Sequence, residues 1–313
     1  MKILMIKSAF AAALAFCATS VHAQDNFIFG NDSVQLSGGV GVLAVEGNAY
    51  VYNRTGSQNV LSRLTWQSVS PMLTTGLDVK LPEGWTLGAE AQVGLSGNSY
   101  MEDFDWQGGS FAENDWSDRS QHDNVNLDWY FNGSMKVGHD FKMDEGMTVN
   151  LNAGMKYIDV QWSGFGGTYL YSSKTGFRDT PGSFAPGQAV ITYRQQLPAV
   201  FLGVDTEIVS DALTLDFGAK AGVTINPSER DDHWLRDIVF ADANKLSPMD
   251  SVSARAQYAV ADNLNVFIGG TVDKVFTARG DTTISGAFNR FNPDTNGVDL
   301  LAASLSLGLK GKF

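Results

Sequence analysis

Leu213-Thr214-Leu215-Asp216-Phe217-Gly218-Ala219-Lys220-Ala221-Gly222-Val223 decides the fold. The odd positions are apolar, and the even ones are polar, charged or glycine. That period of two belongs to a strand with two unlike faces. The even face carries Asp216 and Lys220, and a dry core does not accept unpartnered charges. A strand that crosses a bilayer around a polar lumen reads this way. The pattern recurs in Leu87, Ala89, Ala91, Val93 and Leu95, which alternate with Gly88, Glu90, Gln92 and Gly94. It recurs again in Val252, Ala254, Ala256, Tyr258 and Val260, and the chain ends Leu305-Ser306-Leu307-Gly308-Leu309-Lys310-Gly311-Lys312-Phe313. An amphipathic soluble sheet would alternate too. Glu90, Asp216, Lys220 and Arg255 on the inner faces argue against it. Each run has about the 9–11 residues that a tilted strand needs to cross a bilayer.

The rest of the chain agrees with an all-β, ten-stranded antiparallel transmembrane barrel. Strands are expected near 35–52, 60–80, 86–106, 124–141, 148–170, 190–209, 212–234, 250–260, 264–280 and 298–313. Short connections such as Leu81-Pro82-Glu83-Gly84 and Ser210-Asp211 alternate with long ones near 53–59, 107–123, 171–189, 235–249 and 281–297. Short turns at one end and long loops at the other are the outer-membrane barrel pattern, with the loops standing above the membrane outside the cell.

Residues 1–23 have a basic start at Lys2 and Lys7, an apolar run over Ala11–Ala18 and a small-x-small site at Val21-His22-Ala23. They are expected to be a cleaved signal peptide, leaving 24–313 as a single barrel domain. Bulky Phe16 before Cys17 argues against a lipoprotein site, so the chain's one cysteine is expected to leave with the signal. Without Lys2 and Lys7 the chain keeps 22 − 2 = 20 basic residues against 34 acidic ones, a formal charge of 20 − 34 = −14. That excludes nucleic acid as a natural partner and leaves cationic substrates open.

Two stretches concentrate chemistry. Met101-Glu102-Asp103-Phe104-Asp105-Trp106 closes the third expected strand, and Glu229-Arg230-Asp231-Asp232-His233 closes the seventh. Spacing of i, i+2 puts Asp103 with Asp105, and Asp231 with His233, on one strand face each. Spacing alone is equally compatible with solvated acidic loop tips, and Asp-x-Asp with Asp-Asp-His also suits a metal. In a closed ten-stranded barrel the two strands face each other across the lumen, so the four groups meet at one rim.

The chain resembles the omptin family of Gram-negative outer-membrane endopeptidases. The resemblance runs from about Val60 to the C-terminus. It is carried by Ser62-Arg63-Leu64-Thr65-Trp66, Asp103-Phe104-Asp105-Trp106 and Trp116-Ser117-Asp118 with Ser120 and His122. Gly166-Gly167-Thr168-Tyr169-Leu170-Tyr171-Ser172-Ser173, Gly176-Phe177-Arg178-Asp179, Gly182-Ser183-Phe184 and Asp231-Asp232-His233 complete it.

The resemblance implies a barrel taller than the membrane with an aspartic-type endopeptidase site on top. Asp231 would orient His233, and His233 would act as general base on a water. Asp103 and Asp105 would hold that water and stabilise the tetrahedral intermediate, with no acyl-enzyme, no metal and no cofactor. Ser120 matches a family serine and reads as structural. The substrates implied are cationic peptides and proteins, gripped before the cut by Glu229. A second family carboxylate aligns with Ala49, and Glu46 lies three residues earlier.

Lipopolysaccharide is the activating lipid the resemblance implies. Met155, Tyr157, Asp159 and Gln196 stand where the family favours Tyr, Glu, Arg and Arg, so weaker binding through Arg194 or Lys156 is expected. A monomer is expected. Trp106, Trp116, Trp129, Trp162 and Trp234 read as rim or interface aromatics.

The alternatives are a non-enzymatic barrel (a porin or an adhesin), a barrel lipase and a metal-dependent hydrolase. A porin needs no Asp–His pair, and a barrel lipase needs a serine that His233 lacks at the matching spacing. One difficulty is internal. Leu87–Leu95 and Leu213–Val223 present odd residues to lipid, yet Asp103, Asp105, Asp231 and His233 are odd too. Unbroken alternation would point all four outward. Either a bulge shifts each strand, with Gly97 and Pro227 as the expected places, or the strands splay above the membrane and the rule lapses there.

Overall fold

The computed structural model describes residues 33–53, 59–107 and 112–313. The expected signal peptide at 1–23 lies outside these residues. The strands in chain order are β1 (Val34–Tyr52), β2 (Val60–Lys80), β3 (Trp85–Gly94), β4 (Asn98–Asp105), β5 (Asp118–Lys142), β6 (Met147–Phe165), β7 (Thr168–Tyr171) and β8 (Thr180–Ser183). Then come β9 (Ala189–Ser210), β10 (Leu213–Thr224), β11 (Ser228–His233), β12 (Ile238–Asn244), β13 (Pro248–Ala261), β14 (Leu264–Gly286) and β15 (Arg290–Lys312). β3 with β4, β10 with β11, and β12 with β13 each form one interrupted stave. Ten antiparallel staves result, and β1 pairs with β15 to close the ring. Among the described residues, closure leaves no stave with an unpaired edge.

The lower half follows the alternation. Leu87, Phe217, Val252, Leu305 and Leu307 stand on the outer surface, and Leu202 and Leu307 are 71% and 63% exposed. Such a belt of apolar side chains is a lipid-facing surface. Inside, Glu90, Asp216, Lys220 and Arg255 line a polar cavity of about 210 Å³.

The lumen is closed above that cavity. Lys156 Nζ meets Asp273 Oδ1 at 2.6 Å, and Asn132 donates to the other carboxylate oxygen at 2.8 Å. Trp66, Trp162 and Tyr193 stack over this layer with ring centroids about 6 Å apart. Trp162 is fully buried and donates to Ser68 Oγ at 2.8 Å, so it is a lumen residue and not a rim aromatic.

The upper half is more regular than expected. The end of 107–123 and most of 235–249 and 281–297 are strand. β5 begins at Asp118, β12 occupies Ile238–Asn244, and β14 and β15 extend to Gly286 and from Arg290. Above the membrane both faces of a stave meet water or polar groups, so alternation fades while ladder pairing continues. The expected strand 148–170 ends at Phe165. Thr168–Tyr171 turns away to form a hairpin, pairing with β8 and with the top of β5.

Two bulges turn the site inward. On stave three Met72 pairs with Gly94 and Val69 with Asn98, so Ser70 and Pro71 face three residues, 95–97. On stave seven Thr224 pairs with Ala199 and Ser228 with Gln196, so Leu197 and Pro198 face 225–227. One extra residue reverses the phase of everything beyond it. In both cases the facing strand carries a proline whose carbonyl accepts from the first bulge residue, Leu95 N to Pro71 O at 2.8 Å and Ile225 N to Pro198 O at 2.7 Å.

Candidate active site

The four expected catalytic groups converge. β4 and β11 bring Asp103, Asp105 and His233 onto a rim cleft of about 340 Å³, with Asp231 behind the histidine. Outward neighbours confirm the phase. Phe104 packs on Trp116 and beneath the Arg63 and Arg119 guanidiniums, while Arg230 lies on the outer wall paired to Asp232.

Asp103 accepts from Ser62 Oγ at 3.1 Å. Burial, and then the charge of Asp105, hold its carboxyl well above the ordinary range. Asp105 is pushed up to about 6, chiefly by burial, while Ser62 opposes the shift and Asp118 adds to it. Burial thus favours the protonated form at both carboxyls, and the charge of Asp105 favours it further at Asp103. Burial and the two aspartates also raise Tyr171, at the cleft wall, to about 12.

His233 Nε2 lies 2.9 Å from Asp231 Oδ2, and Phe240 packs edge-on against the imidazole at 5.1 Å. On the ring's other side a guanidinium nitrogen of Arg236 contacts Nδ1. Guanidinium only donates, so Nδ1 is the acceptor and Nε2 carries the proton given to Asp231.

Glu229 sits apart from the open cleft. It is buried and accepts from Tyr193 Oη, from Asn244 at 3.0 Å and from Asn296 at 2.6 Å. Directly opposite on β12 is Asp242. Burial, then Asp242, raise Glu229 well above its ordinary value, and burial with the charge of Asp231 pushes Asp242 up to about 7. Ala49 is buried in the lumen core, and Glu46 is engaged with Gln67 Nε2 at 2.7 Å and Asn48 Nδ2 at 3.3 Å.

Asp242 and Arg236 both fall in 235–249, where the lack of alternation predicts a loop, so neither carries a sequence signal. His122 is buried against the cleft wall, with Nδ1 2.5 Å from the Gly166 carbonyl and Nε2 3.2 Å from Ser120 Oγ.

The outer wall corrects one expectation. Lys156 is in the lumen, bound to Asp273, and cannot reach a lipid outside. Arg194 is outside, but its guanidinium grips Asp159 at 2.9 and 2.6 Å and lies 4.9 Å from the Trp129 ring centroid. Trp129 and Tyr157 also donate to Asp159 at 3.1 and 3.3 Å, and Gln196 donates to Tyr157 at 2.7 Å.

The chain is 23% identical over 313 residues to the outer membrane protease OmpP of Escherichia coli, spanning 97% of each chain. It is 25% identical over 288 residues to the plasminogen activator of Yersinia pestis, spanning 90% of each. Its backbone matches the crystal structure of the outer membrane protease OmpT of Escherichia coli with a TM-score of 0.85 at 22% identity, covering 93% of this chain and 100% of the other. The Omptin family model matches residues 30–313. The class is therefore that of Gram-negative outer-membrane β-barrel proteases with the active site outside the cell. Within that class the chain belongs to the omptin family.

Proposed function

We propose that this protease is an endopeptidase that cleaves cationic peptides and proteins at basic residues through an activated water. The observation that carries the reading is the meeting, across one cleft, of the Asp103–Asp105 pair with the Asp231–His233 pair. With Nε2 committed to Asp231, Nδ1 of His233 is the nitrogen left to take the proton of a water. The water oxygen then attacks the peptide carbonyl. Asp231 stabilises the imidazolium that forms, as in other Asp–His pairs. The proton retained by the Asp103–Asp105 pair is hydrogen-bonded to the oxyanion as charge develops there. His233 finally returns its proton to the leaving amine. No covalent intermediate, metal or organic cofactor enters this sequence.

Basic selectivity rests on Glu229, with Asp242 as the second carboxylate where Ala49 and Glu46 supply none. The excess of acidic residues favours cationic substrates as well. Lipopolysaccharide would act as a modulating lipid through Arg194. The closed ring supports a monomer.

The test is cleavage of a dibasic peptide by refolded protein, with and without lipopolysaccharide, comparing wild type with Asp103→Ala and His233→Ala. Both variants should lose at least about 100-fold in kcat, the lower end for general acid–base groups. Ion conductance without cleavage would favour the porin alternative, which the Lys156–Asp273 layer and the stacked rings above it oppose.

A further inference from the structure

Among the described residues lining the cleft, Arg236 carries the one permanent positive charge, opposite Asp103, Asp105 and Asp118. Its side chain is exposed, but the backbone that carries it is held. Arg236 ends the short turn Trp234–Arg236, which joins β11 to β12. The turn is pinned at its start by Trp234 Nε1, which donates to Thr192 Oγ1 at 3.0 Å. It is pinned at its end by the Asp237 carbonyl, which accepts from Ala287 N at 2.7 Å. Gly286, at φ +107°, lets this carbonyl approach, since a Cβ there would stand 2.1 Å from it. The backbone is thus held and only the side chain is free to swing. In the free protein that side chain contacts Nδ1 of His233.

These observations conflict with catalysis as long as Arg236 stays in place. The lone pair that must accept the water's proton already accepts from a guanidinium at the wall of the cleft that Asp103 and Asp105 line. We infer that Arg236 is an internal occupant of the cleft, covering the proton-accepting nitrogen of His233 until an entering peptide displaces it. The inference rests on the hydrolytic reading above. Displacement costs every substrate the same interaction, so Arg236 weakens binding generally and leaves the chemical step alone.

The experiment compares wild type with Arg236→Ala and Arg236→Lys in two ways. Kinetics use one dibasic and one uncharged peptide. A 15N spectrum of histidine-labelled protein, with His233 identified by its loss in His233→Asn, reads the state of Nδ1 without any substrate. In Arg236→Ala, KM should fall about tenfold for both peptides, the low end for losing a charge-assisted hydrogen bond, with kcat nearly unchanged. The Nδ1 resonance should move to the position of a nitrogen without a donor, and Arg236→Lys should restore part of both effects.

An unchanged KM with an unchanged Nδ1 resonance overturns the inference. So does a hundredfold loss of kcat at constant KM, which would make Arg236 a participant in the reaction. If neither wild type nor variant cleaves any peptide, the hydrolytic reading fails, and the Nδ1 resonance alone decides the contact. A folding check by heat-modifiable gel mobility keeps a misfolded Arg236→Ala from mimicking either result, with Arg236→Lys as the second variant.

Discussion

Glu229 and Asp242 lie directly opposite each other on β11 and β12, two buried carboxylates on the strands that also carry Asp231 and its partner Phe240. Neither has a cationic side chain within salt-bridge distance among the described residues, and Asp242 Oδ1 has no hydrogen-bond partner. Burial raises both, the charge of Asp242 raises Glu229 further, and the charge of Asp231 raises Asp242 further. The charge of the pair therefore grows as pH rises through about 7, where Asp242 titrates.

The preference for a basic over a neutral residue before the cut should grow over the same interval, several-fold between pH 6 and pH 8. In Asp242→Asn most of that growth should vanish, because one carboxylate is left without its repelling partner. Glu229→Gln should reduce the preference by roughly 10- to 150-fold, the equivalent of about 1.5–3 kcal/mol for a charge-assisted pair. Peptide-library profiles at the two pH values measure this. A preference that ignores both pH and Asp242→Asn removes the pair from the pocket.

The Asp103–Asp105 pair makes a separate prediction about pH. Below about 6 Asp105 gains a proton, and well above the ordinary carboxylate range Asp103 loses one. Activity that needs one shared proton falls on both sides of that window. Ser62 holds both carboxyls down, so Ser62→Ala should move both limbs of the kcat/KM profile to higher pH.

Stability carries the same sign. A carboxyl raised on folding favours the folded state when protonated. That contribution is complete below its ordinary value and is lost as pH rises through about 6 for Asp105. Urea midpoints in detergent should fall from pH 5 to pH 8, and Asp105→Asn should recover roughly 2–3 kcal/mol at the upper end. A profile with no alkaline limb, or a midpoint independent of pH, contradicts the shared proton.

The ten staves were legible because lipid outside and charge inside leave a period of two that few other environments impose. The legibility ends where lipid ends. Ile238–Asn244 and Thr282–Gly286 are well paired, yet their faces no longer differ, and they read as loop. The meeting of the site's strands across the lumen was legible from the strand count, but the inward aim of the four groups was legible only as a contradiction of phase, which a bulge in each of two staves resolves. Lys156 was misplaced although Leu151, Ala153, Met155 and Tyr157 already set its strand's phase and put it inside. Trp162 was misread because a tryptophan in a barrel has two common homes. The Arg236 contact had no local signal, since it depends on how four residues turn between β11 and β12.

The bulge at 95–97 can be tested by removing it. Deleting Gly97 leaves two residues facing Ser70 and Pro71, so β4 returns to the phase of β3. Asp103 and Asp105 then turn to the outer wall. The lipid-spanning β3 is untouched, and the barrel should still assemble, as heat-modifiable gel mobility reports. Cleavage should be lost as completely as in Asp103→Ala. Gly97→Ala is the control: it keeps the count and places a Cβ 2.3 Å from the Val69 carbonyl. It should cost about 1–3 kcal/mol of stability while the folded fraction stays active. A fully active deletion variant would mean that the bulge does not aim the site.

The outer wall gives the last prediction. Arg194 stands on the outer wall, where a lipid phosphate would meet it, but Asp159 already holds it in a two-pronged ion pair. A phosphate must compete with that carboxylate, so lipopolysaccharide should stimulate the wild type only weakly. Asp159→Ala frees the guanidinium and should strengthen the stimulation, and Arg194→Ala should abolish what there is. Lys156→Ala separates the wall from the lumen. It strips the buried Asp273 of its counter-charge, which should cost about 3–5 kcal/mol of stability. The lipid response should nevertheless be the same per folded molecule. Activity titrated with lipopolysaccharide, normalised to folded protein, decides between these. An Asp159→Ala variant with the wild-type response would show that Arg194 is not where the lipid binds.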